Sequence, residues 1–248
     1  IIYIFFKKIE KYLYYKSAKI ITLTQEAKNI IINDHPFLIK NKIHVIPTCA
    51  DENYFIPSPK NKKQKEKEII LGYIGSIDTA YDIEKVILSF SKITQEIPNV
   101  HLKIFTKDIL KLKNLIEKYN IPKNYYSAGY VDRKNILNVI HSFDFGIFYI
   151  NENYSSKAAF PTKIAEFLLC GIPIICNNFN KEVFDLIVKN KIGIINEFKD
   201  QNYSIVLKKI KKMINSKKIN SISRKICEEK LSIEKGTEKF LRIYKNII

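Results

Sequence analysis

The chain has 248 residues, of which 46% are hydrophobic, and it contains only seven glycines and eight prolines. These values permit a full core in one large or two small domains and exclude a low-complexity or linker-rich protein. The net charge of +17 is typical of proteins that bind nucleic acid or anionic membranes, but arginine is scarce and lysine is spread along the whole chain, so we favour a lysine-coated surface.

The first fifty residues predict short alternating elements. Helices are expected at 7–17 and 25–33, and strands at 20–24 and 42–47. A polar, lysine-rich loop follows at 51–67 and is the best candidate for a domain boundary.

From residue 68 onward, apolar strands alternate with amphipathic helices. Strands are predicted at 69–74, 100–105, 125–128, 145–149, 172–176 and 192–195. Helices are predicted at 82–95, 108–119, 133–142, 162–169, 182–189, 203–215 and 233–247. Near-continuous apolar strands separated by such helices indicate an α/β fold with a parallel sheet covered on both faces.

The four cysteines fall at no metal or disulfide spacing and mostly have apolar neighbours, which indicates reduced core thiols in a cytosolic protein. No cluster of histidine, cysteine and carboxylate predicts a tightly held metal. No apolar run is long enough to cross a bilayer. Because the first residue is not methionine, we expect the chain to be a piece of a longer protein.

Two loops predicted at the carboxyl ends of strands have anion-binding character. Gly75 allows a close backbone approach and Ser76 offers a hydroxyl and an N–H group. The loop 154–162 carries serines and Lys157 before Pro161. Each loop alone is weak evidence, but ligands of parallel α/β sheets bind at this edge, so the two together indicate an anion site.

The most informative segment is Phe160–Cys176, which combines a turn, a short helix, a glycine stop at Gly171 and a buried strand. It places Lys163 and Glu166 one helical turn apart near the helix N-terminus. Unpaired N–H groups and the helix dipole make that end a natural phosphate seat. A surface Lys–Glu pair worth a few tenths of a kcal/mol is an equal alternative on local sequence alone.

Residues 42–248 resemble the C-terminal, donor-binding half of retaining GT-B glycosyltransferases, the glycosyl transferases of group 1. The resemblance is carried, in chain order, by IHVIPTCAD at 43–51, LGYIGS at 71–76, GYV at 129–131, Phe160–Cys176, and LSIEKGTEKFLRIY at 231–244. It implies a Rossmann-like parallel sheet with a remnant of the N-terminal domain. The implied domains are the end of the N-terminal acceptor domain at 1–50, the nucleotide-sugar-binding domain at 51–228, and a closing helix at 229–248.

The resemblance also implies how the donor is held. Glu166 binds the ribose, Thr162 and Lys163 close over the diphosphate, and Tyr130 and Val131 edge the base. The full set of predicted donor contacts is Gly75, Ser76, Thr106, Tyr130, Val131, Lys157, Pro161, Thr162, Lys163 and Glu166, of which Lys163 and Glu166 are the candidate catalytic residues.

Three positions depart from the usual family pattern. Ala158 stands where a first glutamate is usual, Ser76 where an arginine is usual, and Tyr81 where a lysine is usual. These changes remove a sugar-contacting carboxylate and two phosphate-binding cations. We expect Lys157 and Lys163 to replace the missing cations.

The sequence therefore predicts a glycosyltransferase that uses a nucleotide-diphosphate sugar, without a cofactor, and transfers the sugar to an unknown acceptor such as a cell-surface glycan or lipid-linked saccharide. We expect a cytoplasmic protein, with weak attraction to the anionic inner membrane surface. Two alternatives stay open. One is a GT-B relative that does not transfer sugar, such as an epimerase or a nucleotide-sugar-binding module. The other is a basic nucleic-acid-binding protein, although we expect no nucleic acid as partner.

Overall fold

The computed structural model describes residues 2–58, 68–77, 79–197, 203–216 and 218–247. The lysine-rich stretch 60–67 of the predicted boundary loop lies outside these ranges. The strands are β1 Ile20–Thr22, β2 Ile43–Val45, β3 Ile69–Ile74, β4 Val100–Phe105, β5 Tyr126–Gly129, β6 Phe145–Ile147, β7 Ile174–Cys176 and β8 Gly193–Ile195. The helices are α1 Ile2–Lys16, α2 Gln25–Asp34, α3 Ile83–Glu96, α4 Ile109–Lys118, α5 Ile136–Ile140, α6 Thr162–Leu169, α7 Lys181–Asn190, α8 Tyr203–Ile214, α9 Ile219–Leu231 and α10 Ile233–Lys245.

Six parallel strands form the main sheet in the order β5-β4-β3-β6-β7-β8. The chain enters this sheet in the middle, at β3, and adds β4 and β5 on one side. It then returns to add β6, β7 and β8 on the other side of β3. This is the doubly wound order, in which the direction of strand addition reverses between β3 and β6. The predicted parallel α/β sheet is confirmed, and its ligand crevice is expected at the carboxyl ends of those two strands.

The centre of the sheet is packed directly against two phenylalanine rings. Gly72 on β3 pairs in register with Gly146 on β6. A Cβ atom added at Gly72 would lie 2.1 Å from the ring of Phe143, and one at Gly146 would lie 2.4 Å from the ring of Phe167. The two rings meet edge to face at 6.1 Å. Both glycines are therefore required by packing, and the Phe167 ring fixes α6 against the sheet.

Gly72→Ala and Gly146→Ala are each expected to lower the free energy of unfolding by about 1–3 kcal/mol, because overpacked cores must shift side chains or backbone. This corresponds to a Tm lower by roughly 3–10 °C for a domain of this size. Gly129→Ala on β5 is the matched control, since its added Cβ would meet only the ring of Phe105 at 3.9 Å. An unchanged Tm in Gly146→Ala would contradict this account of the sheet centre.

Helix α9 is an element that the sequence pattern did not predict. It packs against α6, and its inward-facing positions include Ser223 and Cys227 between Ile219 and Leu231. Small and weakly polar residues on the buried face break the apolar period that identifies a helix. The predicted boundary between 228 and 229 falls within α9, and the chain turns into α10 at Ser232, whose hydroxyl accepts a hydrogen bond from the Lys235 N–H at 3.2 Å. The domain limits stay a prediction.

The first fifty residues form a small parallel pair, β1 and β2, with α1 and α2 beside it. Ile20, Leu38 and Ile43 form its own apolar cluster. Several contacts join this unit to the elements around the main sheet. Among them, the Thr24 hydroxyl donates to the Lys157 carbonyl at 2.7 Å, and the Glu182 carboxylate caps the N-terminus of α2. These contacts set one wall of the crevice at the carboxyl edge.

Over the described ranges, none of the helices combines the length and hydropathy that crossing a bilayer requires.

Candidate functional site

The glycine turn after β3 and the first turn of α6 meet at the reversal point of the sheet. The Lys163 ammonium donates a hydrogen bond to the carbonyl of Ile74, the last residue of β3, at 2.7 Å. A Cβ at Gly75 would lie 2.8 Å from the same nitrogen. A side chain at position 75 would force the ammonium to move, so glycine allows this close approach. Two segments 88 positions apart in the chain (163 minus 75) thus form one corner.

Lys163 is unusual because its charge is buried. The residue is 8% exposed. Its Nζ lies 3.4 Å from the ring centroid of Tyr81, 5.0 Å from that of Tyr73 and 5.5 Å from that of Phe148. Burial lowers the pKa of the ammonium from its ordinary 10.5 to about 7, and the Glu166 carboxylate opposes that shift. A side chain on the borderline of ionisation stands at the centre of the site.

Glu166 lies one helical turn after Lys163 and is half-buried. Burial raises the pKa of its carboxyl, and the positive charges of Lys163 and Arg133 oppose this. Arg133 follows β5 and was not predicted as a site residue, because the sequence pattern gave it only as the first residue of a helix. That helix, α5, begins at Ile136. The structure thus brings together three charged groups, of which the sequence identified two.

Helix α6 begins as predicted, with Pro161 as the N-cap residue and Thr162 exposed in the first turn. It ends at Leu169, and Gly171 follows its C-cap residue with a φ of 73°, in the left-handed region that favours glycine. The Ile172 N–H donates back to the Phe167 carbonyl at 2.8 Å. The predicted helix limits are confirmed, and the helix N-terminus points its dipole to the same corner as Lys163.

Ser76 and Thr106 stand beside the corner in different environments. Ser76 is exposed, its carbonyl accepts the Tyr73 hydroxyl at 2.6 Å, and its own hydroxyl lies 2.8 Å from that of Thr79. Thr106 is buried, and its hydroxyl accepts the Asp108 N–H at 3.1 Å. Asp108 in turn accepts the Ile77 N–H at 3.0 Å. Thr106 therefore shapes the glycine turn, and a direct donor contact stays a prediction.

The contacts of Lys157 are with α2 and not with the corner formed by Lys163 and Gly75. It is exposed in the 3₁₀ turn Ser155–Ala158, and its ammonium lies 3.6 Å from the Glu26 carboxylate of α2. Tyr130 is 59% exposed after β5, with Lys107 over its ring at 5.8 Å, and Val131 is half-buried. The roles predicted for these residues stay predictions.

The segment after β6 is held by a side-chain amide, which makes the two backbone hydrogen bonds that a neighbouring strand would make. Asn177, which follows β7, accepts the Ile150 N–H and donates to the Ile150 carbonyl, both at 2.9 Å. An open cleft of about 600 Å³ lies just beyond, between α2, the Ser155–Ala158 turn and the start of α7. Glu26, Glu152, Lys157 and Lys181 are among its lining residues. Its mixed charges and polar side chains suit a hydroxyl-rich ligand.

The family model for glycosyl transferases group 1 matches residues 56–230. This is most of the chain, and the protein belongs to that family. No sequence among curated proteins matches significantly.

Solved structures with the same fold are glycosyltransferases of the GT-B class. One is TarM of S. aureus in complex with fondaparinux, alpha-GlcNAc-glycerol and UDP, with a TM-score of 0.72 and 18% identity, covering 96% of this chain and 46% of that one. A second is sucrose-phosphate synthase of Thermosynechococcus elongatus, with a TM-score of 0.74 and 14% identity, covering 97% and 61%. A third is HepE of Anabaena in complex with UDP-glucose, with a TM-score of 0.71 and 13% identity, covering 94% and 65%. The chain thus spans less than two thirds of each of these structures, and at these identities the likeness establishes the fold.

Proposed function

We propose that the protein is the donor-binding part of a glycosyltransferase that takes a sugar from a nucleotide-diphosphate donor and passes it to an acceptor. The observation that supports this is the Lys163 ammonium seated against the Gly75 turn at the reversal point of the sheet. Family membership supports sugar transfer as the reaction class. UDP and UDP-glucose are present in two of the similar structures, which makes a uridine nucleotide the first donor to test.

The corner suits the chemistry of a diphosphate leaving group. When a sugar leaves its carrier, negative charge grows on the diphosphate oxygens, and fixed donors that face those oxygens lower the barrier. We assign this role to the Lys163 ammonium and to the N–H groups of the first turn of α6. Glu166 is assigned to a ribose hydroxyl, as the family resemblance implies. Retention of anomeric configuration rests on that resemblance alone.

Ala158 keeps a non-transferring relative open as the alternative. The residue is exposed in the Ser155–Ala158 turn and offers no carboxylate to a sugar. The Lys157 ammonium beside it lies 3.6 Å from the Glu26 carboxylate, and its predicted role as a replacement phosphate cation stays a prediction. A transfer or hydrolysis assay with radiolabelled donor on the full-length protein separates the two: release of labelled sugar is expected from a transferase, and intact donor after prolonged incubation from a binding module.

A thermal-shift panel tests the proposal directly. UDP-, GDP-, ADP- and CMP-linked sugars are added to the protein, and one nucleotide class is expected to raise Tm, because a ligand that binds only the folded state stabilises it by about 2.7 kcal/mol at a hundredfold excess over Kd. No shift with any of the four classes would overturn the proposed donor site. Tight retention on heparin with steep salt dependence would instead favour nucleic-acid binding, which the net charge of +17 motivates.

We further propose a cytoplasmic location, with weak attraction of the lysine-rich surface to anionic lipid at the inner membrane. The acceptor, whether a cell-surface glycan or a lipid-linked saccharide, is proposed to approach through the cleft beside Glu26 and Glu152. No cofactor beyond the donor itself is required by this proposal.

A further inference from the structure

An aromatic box surrounds the Lys163 ammonium, and one ring dominates it. The Nζ lies over the face of Tyr81 at 3.4 Å from the centroid, much nearer than Tyr73 or Phe148. A cation over a ring face is attracted by the negative face of the π-system, and most strongly when both are desolvated. Tyr81 therefore makes the main non-polar contact of the charged end of Lys163.

The Tyr81 ring is itself held rigidly. Its backbone forms an antiparallel bridge with Ile150. On either side of it, the Asn151 N–H donates to the Ala80 carbonyl and the Asp82 N–H donates to the Tyr149 carbonyl, both at 2.9 Å. The ring meets that of Phe148 edge to face at 90° and 6.4 Å. The two hydrogen bonds that form this bridge and one ring contact thus hold the Tyr81 ring in place.

The ammonium has donor capacity left for a ligand. Of its three N–H groups, one donates to the Ile74 carbonyl. Among the residues that the structure describes, no second oxygen or nitrogen acceptor bonds to Lys163, although the side chain is more than nine-tenths buried. A buried cation with unused donors next to a glycine turn is prepared for an anionic oxygen.

We propose that Tyr81 is a positioning residue, whose ring holds the Lys163 ammonium against the Gly75 turn so that its unused N–H groups face the donor diphosphate. This rests on the proposed function. The Tyr81 hydroxyl is not the working group: burial and then the Glu166 charge raise its pKa to about 12, so it stays neutral, and the ring face acts. The titratable groups around the ammonium are Glu166 on α6, Tyr73 on β3 and Tyr81, with Asp82 and Asp108 acting on Tyr73.

The test compares Tyr81→Phe with Tyr81→Leu. Binding of the nucleotide sugar selected by the thermal-shift panel is measured by calorimetry between pH 6 and pH 9. Tyr81→Phe keeps a ring face and is expected to bind like the wild type. Tyr81→Leu is expected to bind roughly 3- to 30-fold more weakly, the range that loss of a desolvated cation–π contact gives. The pH at which the donor affinity has fallen to half of its low-pH value, the pH midpoint, is also expected to be lower in Tyr81→Leu. The reason is that loss of the ring contact destabilises the charged form of Lys163 and lowers its pKa.

The pH midpoint separates positioning from a merely structural role. Tyr12→Leu, at a tyrosine of α1 that is 60% exposed, is the control and is expected to change neither affinity nor midpoint. Equal affinity and midpoint in Tyr81→Leu and the wild type would overturn the inference and leave the donor site intact, as would weaker binding at an unchanged midpoint. A wild type that binds no nucleotide sugar would overturn both. If Tyr81→Leu does not fold, Tyr81→Met carries the same comparison, since Met fills similar volume without a ring.

Discussion

Lys163→Met is expected to lose the nucleotide-induced rise in Tm while raising the Tm of the ligand-free protein. The ammonium is the buried cation of the corner, and a charge-assisted hydrogen bond to phosphate contributes about 1.5–3 kcal/mol, so the donor Kd should rise by roughly 10- to 100-fold. The ligand-free protein gains stability because a buried charge is replaced by an apolar chain of similar length, worth about 1–3 kcal/mol. Thermal shifts with and without nucleotide sugar measure both effects.

The opposite signs of these two effects are what make the experiment decisive. A variant that had merely lost its fold would lose both binding and stability. Lys189→Met removes the same charge from an exposed position on α7, where the ammonium pairs with Asp185 at 3.0 Å, and should change neither quantity appreciably. Glu166→Ala should also lose the shift, since the ribose contact is assigned to its carboxylate. A full nucleotide shift in both Lys163→Met and Glu166→Ala would refute the site.

The fold was predictable where a helix has one apolar face or where a strand is apolar on both faces. The predicted limits of β3, β4 and α6 coincide with the observed ones, because these elements are apolar runs or helix-period segments with clear stops. Helix α9 was missed since Ser223 and Cys227 occupy its buried face. Helix α1 begins at Ile2, well before the predicted start at 7, because an unbroken apolar run has no period to read.

The meeting of the two segments that form the candidate site was predictable, but the electrostatics of that corner were not. The sequence placed Lys163 and Gly75 at the same sheet edge, and the structure joins them through Ile74. It gave no sign that Lys163 is buried, because a lysine at the start of a helix is usually solvated. The burial depends on Tyr73, Tyr81 and Phe148, which come from three separate segments. Neighbours of this kind follow from the folded topology, which a local pattern does not encode.

Donor affinity is expected to fall as the pH rises through about 7. In the proposed site, the protonated form of Lys163 pairs with the donor diphosphate. Burial holds the pKa of the Lys163 ammonium in the ligand-free protein at about 7. Above that value, each binding event must take up a proton, so Kd should rise by up to about tenfold per pH unit until the higher pKa of the complex is reached. A nucleotide sugar is the right probe, since its diphosphate has no terminal phosphate to titrate. Lys163→Met should bind weakly with almost no pH dependence of this kind.

The stability of the ligand-free protein should follow the opposite trend. The folded pKa of Lys163 lies below its ordinary 10.5, so between pH 7 and pH 10.5 the unfolded chain binds more protons, and the free energy of unfolding rises with pH. Relative to Lys163→Met, the wild type should gain about 1 kcal/mol per pH unit in this window. Buried thiols such as Cys176, whose pKa burial raises, titrate alike in both proteins and cancel in the difference.

Protonation of Lys163 would then lower the free energy of unfolding of the ligand-free protein and raise its affinity for the donor. This is expected of a site whose charge is stabilised mainly by its ligand. The aromatic box reduces the desolvation energy of the buried ammonium, and the diphosphate supplies the negative charge that the aromatic rings lack. Denaturant titrations of both proteins at pH 7 and pH 9, beside calorimetry at the same values, measure the two slopes. Slopes of the same sign, or slopes that survive in Lys163→Met, would show that another group controls them.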